Sequence, residues 1–293
     1  MKGSARPVAV IGAGTMGHGI GMVVARAGLD VRLHDADPQA LVWAKSRIEY
    51  ALGRSVARGN LSREQREGVL DRIRLVDDLG EALEGVAFAI ESVTEDADVK
   101  RSAFVELDRL APADAVLASN TSALSITLIG SWTRSPERVV GVHFFNPPDR
   151  MPFVEIVRGV RTSERTIGSA RALCDRLDKE TIVVADRPGF ATSRLSASLG
   201  NEAWYMFMEG VASPAEIDKA VKLALGHPMG PFELGDLIGL DVRLSVLRTL
   251  HEELGERFRP CPLLVKYVEA GHLGRKTGRG VYEYHDGNEQ SDA

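Results

Sequence analysis

The feature that most constrains this chain is Gly12-Ala13-Gly14-Thr15-Met16-Gly17, which follows the apolar run Val8-Ala9-Val10-Ile11 and opens an amphipathic stretch, Met16 to Ala27. A buried strand, a glycine turn and a helix in direct succession mean that the helix folds back onto the strand it has just left. Each glycine has its own reason: Gly12 for the tight turn, Gly14 for close approach of a pyrophosphate, Gly17 for helix–strand contact. The helix start offers unpaired N–H groups and a positive dipole end to phosphate. The next apolar run, Val31-Arg32-Leu33-His34, ends at Asp35, 18 residues after Gly17, where an acidic side chain meets ribose hydroxyls. Asp35 would repel a 2′-phosphate, and Ala36 and Asp37 supply no arginine to hold one, so the expected cofactor is NAD rather than NADP. Gly12, Ala13, Gly14, Thr15, Met16, Gly17 and Asp35 are the expected cofactor-binding residues.

The pattern continues through the first half. Amphipathic stretches at 38–58, 62–72, 97–110 and 163–177 alternate with short apolar runs at Phe88-Ala89-Ile90, Val116-Leu117-Ala118, Val139–Val142, Val154–Val157 and Ile182–Val184. Strands alternating with helices predict a parallel, doubly wound α/β sheet. Near Asp186 the character changes. Arg187-Pro188-Gly189-Phe190 is a turn signal, and helical patterns then run nearly to the end, with Ser213-Pro214-Ala215-Glu216 as a strong helix start. The expected organisation is an α/β domain over 1–186 and an all-α domain over 187–293, with a frayed polar tail from Asp286.

At 293 residues, with 44% hydrophobic and 26% charged side chains, both domains can bury a core. The net charge of −5, with scattered Lys and Arg, argues against a nucleic-acid surface. No apolar run is long enough for a signal or membrane segment. Cys174 and Cys261 show no metal-ligand or disulfide spacing, which fits a reducing compartment, so a cytoplasmic protein is expected.

Downstream motifs narrow the reading. Ser119-Asn120-Thr121-Ser122 is followed by His143-Phe144-Phe145-Asn146-Pro147-Pro148, Val154-Glu155-Ile156-Val157 and Pro188-Gly189-Phe190. Then come Gly226-His227-Pro228-Met229-Gly230-Pro231 and Gly274-Arg275-Lys276-Thr277-Gly278-Arg279-Gly280. This string, in this order, closely resembles the 3-hydroxyacyl-CoA dehydrogenase family from about Val8 to Tyr284. The resemblance implies a Rossmann-like NAD-binding domain, a helical C-terminal domain that forms a homodimer, and oxidation of a 3-hydroxyacyl-CoA, such as 3-hydroxybutyryl-CoA, to the 3-ketoacyl-CoA. It implies His143 as general base, Glu155 as its partner and Ser122 between nicotinamide and substrate. It places Glu95, Lys100, Asn146 and Lys276 against the cofactor and Arg58 near the CoA phosphates. Relatives commonly carry Asn-Arg shortly after Pro-Gly-Phe, the Asn being part of the catalytic cluster; here the pair is Ser193-Arg194.

The residues support the same chemistry independently. Oxidising an alcohol by hydride transfer requires removal of the hydroxyl proton, and an imidazole suits this at neutral pH. His143 follows the Val139–Val142 run, at the strand end where open α/β sheets bind ligands, and Glu155 comes 12 residues later on the next strand. A 3-hydroxyacyl group on acyl carrier protein or a free 3-hydroxy acid would use the same pair, and a non-catalytic NAD-binding protein on this fold is the remaining reading. Glu95 and Lys100 taken alone read as a solvated pair at a helix start, and His18 as an exposed neighbour of the glycine loop.

Overall fold

The computed structural model describes residues 6–284; the tail expected to fray lies outside them. The chain divides between Arg187 and Pro188 into two compact units. The first unit is built on eight strands: β1 (Val8–Ile11), β2 (Val31–His34), β3 (Ile73–Val76), β4 (Phe88–Glu91), β5 (Val116–Ser119), β6 (Val139–Phe144), β7 (Phe153–Arg158) and β8 (Glu180–Ala185). Its helices are α1 (Thr15–Arg26), α2 (Pro38–Ala57), α3 (Arg63–Leu70), α4 (Leu79–Leu83), α5 (Ala97–Leu110), α6 (Ile126–Ser131) and α7 (Glu164–Arg176).

The strand order is β3-β2-β1-β4-β5-β6-β7-β8. The chain winds one way from β1 through β2 to β3, then returns to the other side of β1 with β4. The crevice beyond the carboxyl ends of β1 and β4 is therefore the switch point at which such sheets bind ligands. β1, β4, β5 and β6 are buried along their whole length, which is why they read as unbroken apolar runs.

Two features depart from the sequence reading. β7 pairs antiparallel with β6, not parallel. Only residues 145–152 join them, and a parallel return needs a crossover of roughly a dozen or more residues. His143 therefore lies inside β6, opposite β7, rather than after the strand. The second departure is β3 and α4, which four- and five-residue patterns did not reveal. β3 lies at the sheet edge and only Val76 in it is buried, so it carries little apolar signal. Ser62 and Gln65 form a capping box at the start of α3.

The second unit contains α8 (Thr192–Met208), α9 (Pro214–Ala224), α10 (Pro231–Ile238), α11 (Leu240–Leu254) and α12 (Pro262–Glu269). Trp204, Phe232, Leu240, Leu244, Leu247 and Leu250 form its core. The glycine motifs of this half have packing causes. The buried Asp218 carboxylate accepts the Phe232 and Glu233 N–H groups at 2.9 and 3.0 Å, capping α10, and a Cβ at Gly230 would lie 2.3 Å from it. Buried Asp236 accepts the N–H groups of Val281 and Tyr282, both at 2.9 Å, and a Cβ at Gly280 would come within 2.1 Å of it. Burial pushes the Tyr284 hydroxyl up to about 12, so it stays a donor to Asp236. Among the described residues, no helix is long and apolar enough to cross a membrane.

Candidate functional site

The glycine loop joins β1 to α1. Gly12 has φ +100°, and a Cβ there would meet the Ser92 carbonyl at 2.6 Å. A Cβ at Gly17 would lie 1.7 Å from the Gly12 carbonyl, so only glycine lets α1 lie so close to β1. Gly14 is different: it has φ −66°, and nothing of the protein stands within 4 Å of where its Cβ would be. No fold-internal reason requires glycine at this exposed position. It is also the cap of α1, which has no side-chain cap and no acidic residue in its first turn, whereas Asp or Ser side chains cap α2 through α7. An open helix start with a bare backbone beside it is a donor set that fits a pyrophosphate.

Asp35 closes this cradle. One carboxylate oxygen accepts the Ala13 N–H at 2.7 Å and the other the Asp37 N–H at 2.9 Å. The side chain is thereby aimed at the loop, with acceptor capacity left for ribose hydroxyls. Thr15 is exposed, and Met16 is half-buried against the core. His18 is half-buried rather than exposed: Nδ1 lies 2.8 Å from the Gly14 carbonyl, and the ring meets Trp43 edge-on.

Beside the cradle, a charge network is built on the ends of β4 and β5. Glu91, fully buried, accepts from Lys100 Nζ at 2.6 Å, the Val93 N–H at 2.8 Å and Ser119 Oγ at 2.6 Å. Lys100 also lies 3.2 Å from Glu95. The pair read as solvated is thus half wrong: Lys100 is 1% exposed, because the apolar strand run ends in a second carboxylate, Glu91, that draws it inward. Glu95 accepts the Ser122 and Ala123 N–H groups at 3.0 and 3.2 Å and the Thr121 hydroxyl. Burial pushes the Glu95 carboxyl up, but Lys100 and these donors outweigh it and hold it below the usual carboxylate range. Glu95 thus pins the turn on which Ser122 stands exposed.

His143 and Glu155 are direct cross-strand partners in the β6–β7 register. His143 Nδ1 lies 2.8 Å from Glu155 Oε2, with His143 6% and Glu155 0% exposed. The Phe145 ring packs on the imidazole with centroids 4.4 Å apart. An ionised carboxylate can only accept, so this pairing fits the tautomer with the proton on Nδ1. Asn146 follows on the exposed 145–152 loop, which Lys179 ties down by donating to the Pro148 and Met151 carbonyls at 2.8 and 2.7 Å. Burial pushes the Lys179 ammonium down. Arg58 is exposed just after α2.

Two candidates belong to the second unit. Ser193 lies in the first turn of α8, half-buried. Lys276 Nζ is held by both Asp241 carboxylate oxygens, at 2.6 and 2.7 Å. Sequence reasoning missed Glu91, Asn120, Lys179 and Asp241. Glu91 had a signal, a carboxylate completing an apolar strand run; Asp241 and Lys179 reach their partners only through folding. Among the described residues, no group of three or more His, Cys, Asp and Glu could hold a metal ion.

A doubly wound sheet with a glycine cradle, an acidic residue closing it and a buried His–carboxylate pair defines a dinucleotide-dependent dehydrogenase. Residues 7–187 match the profile of the 3-hydroxyacyl-CoA dehydrogenase NAD-binding domain, and residues 189–284 that of the C-terminal domain. The chain belongs to the 3-hydroxyacyl-CoA dehydrogenase family, oxidoreductases that use NAD. It is 43% identical to a probable 3-hydroxybutyryl-CoA dehydrogenase of Bacillus subtilis (strain 168), covering 96% of this chain and 98% of that one. It is also 43% identical to a 3-hydroxybutyryl-CoA dehydrogenase of Bradyrhizobium diazoefficiens, over 95% of both. The crystal structure of (S)-3-hydroxybutyryl-CoA dehydrogenase from Ralstonia eutropha superposes with a TM-score of 0.93 at 38% identity, covering 97% of this chain and 100% of that one.

Proposed function

We propose that this chain oxidises a short-chain L-3-hydroxyacyl-CoA, 3-hydroxybutyryl-CoA in the first instance, to the 3-ketoacyl-CoA, and catalyses the reverse reduction. The observation that supports this best is the buried His143–Glu155 pair, 2.8 Å apart, at the carboxyl end of β6. Bound NAD supplies the acceptor for the C3 hydride. Glu155 engages Nδ1, so Nε2 is the nitrogen that takes the hydroxyl proton, and Glu155 offsets the charge the ring then gains. In the reducing direction the imidazolium returns that proton to the ketone oxygen. Ser122 hydrogen-bonds the substrate oxygen. Gly12 to Gly17 and Asp35 bind the dinucleotide, with Glu95, Asn146 and Lys276 as further contacts, and Arg58 meets the CoA phosphates. Lys100, expected from the sequence to touch the cofactor, is buried on Glu91 and acts instead by holding Glu95. Ser193 serves where relatives carry Asn, its shorter hydroxyl acting through water; Ser193→Asn is expected to retain or raise turnover. The names of the relatives and the intact Ser122, His143 and Glu155 support the CoA reading and a catalytic role. We also infer a cytoplasmic homodimer, with residues 1–186 binding cofactor and 187–293 serving dimerisation.

The test follows NADH absorbance with acetoacetyl-CoA, the matching acyl carrier protein thioester and free acetoacetate. Turnover is expected on the CoA thioester and much less on the others. His143→Ala should lower turnover about 10²–10⁴-fold while NADH still binds. No turnover on any of the three, or a His143→Ala variant as active as the parent, would overturn the reading.

A further inference from the structure

The hydrogen-bond ladder between β5 and β6 ends at Ser119 opposite Gly141. β6 continues three residues further, to Phe144. In a strand, successive N–H groups point alternately to the two neighbours. The Phe144 N–H points away from β7 toward a β5 that has already turned off. Its acceptor is the Asn120 side chain: Oδ1 takes the Phe144 N–H at 2.9 Å. Asn120 is fixed at both its ends, to the last residue of β4 and to the residue after it. Its own N–H donates to the Glu91 carbonyl at 2.8 Å, and Nδ2 donates to Ser92 Oγ at 3.3 Å. Phe144 is 3% exposed, so its N–H has no ready access to replacement water.

We propose that Asn120 is a positioning residue for the His143–Glu155 pair: its carboxamide is the last rung between β5 and β6 and holds the strand end that carries the imidazole. The proposal rests on the dyad reading given above. A backbone amide could not make this bond, because β5 must leave the sheet here to form the turn bearing Ser122. A side chain with an acceptor at this reach and a donor on its other arm satisfies β6 and Ser92 together, and a carboxamide has both.

Three variants are compared for turnover with acetoacetyl-CoA, NADH affinity and thermal midpoint. Asn120→Ala removes the acceptor. Turnover is expected to fall about 10–100-fold, the scale on which small misplacements of catalytic groups act, with NADH affinity unchanged, since Gly12, Gly14 and Asp35 are untouched. Asn120→Asp keeps an acceptor for Phe144, and the Ser92 hydroxyl can turn to donate to its other oxygen, so it is expected to recover most of that loss. A merely structural role would lower the thermal midpoint of Asn120→Ala without this split between turnover and NADH affinity, and without rescue by Asp. His143→Ala separates the two readings. If it loses turnover while Asn120→Ala does not, or if Asp fails to rescue, the positioning role is wrong and the dyad stands. If His143→Ala itself turns over normally, both fall.

Discussion

Gly12, Gly14 and Gly17 are glycines for different reasons, and substitution should separate them. Gly17→Ala puts a methyl 1.7 Å from the Gly12 carbonyl, and backbone gives way less easily than a flexible side chain. It should cost about 1–3 kcal/mol or more of stability, read as a lower denaturant midpoint. Gly14→Ala has open space and an ordinary φ of −66°. Its stability should match the parent while NADH affinity falls about tenfold or more, ~1.4 kcal/mol or above, by calorimetry or fluorescence. Equal NADH affinity in Gly14→Ala would show that no ligand approaches there. On the proposed role of Asp35, Asp35→Ala removes both a ribose acceptor and the repulsion toward a 2′-phosphate, so the ratio of NAD to NADP use should drop. A parent enzyme that uses the two cofactors equally would refute the role given to Asp35.

At the scale of elements, α5 is tied to the segment that leads into β6. Asp108 on α5, 5% exposed, pairs with Arg138 at 2.9 Å and with Arg134 at 2.9 Å. Burial pushes the Asp108 carboxyl up, but hydrogen bonds from Arg134 and Arg138 outweigh it and leave it below the ordinary range. A carboxylate lowered in the fold contributes stability that is full above its unfolded pKa and lost as pH falls through the folded value. Asp108→Asn leaves Arg138 buried without its counter-charge and should cost about 3 kcal/mol, the low end for such pairs because Arg134 reaches solvent. Thermal midpoints taken from pH 7 down to pH 3 should fall less steeply in Asp108→Asn than in the parent; parallel curves would mean that Asp108 does not titrate with folding. The same scale shows where sequence reading stopped. The run Val139–Val142 read as a strand, yet β6 extends through His143 and Phe144, because one polar ring facing a buried partner ends an apolar run without ending a strand. The antiparallel β6–β7 pair was legible only through the shortness of residues 145–152.

For the whole molecule, the division at Arg187 leaves the first unit with its own sheet and a contiguous core that includes Val10, Ile20, Leu33, Ile90 and Val142. Residues 1–187 expressed alone should therefore unfold cooperatively and bind NADH. A fragment that is unfolded by circular dichroism would mean that the core of the first unit is not sufficient by itself.

The amino-acid order by itself determined the glycine cradle, its acidic closing residue, the alternation of strands and helices, the change of character near Asp186 and the candidate His143 and Glu155. These are local patterns, and local patterns follow from backbone conformation and apolar periodicity over a few residues. Only the tertiary structure decided that Glu155 stands opposite His143 in register, that Glu91 draws Lys100 out of solvent, that Asp241 holds Lys276 and that Asn120 completes the β5–β6 ladder. Each of these depends on which strands and helices become neighbours. That choice is made by the burial of all the apolar faces together, so no window of the sequence contains it.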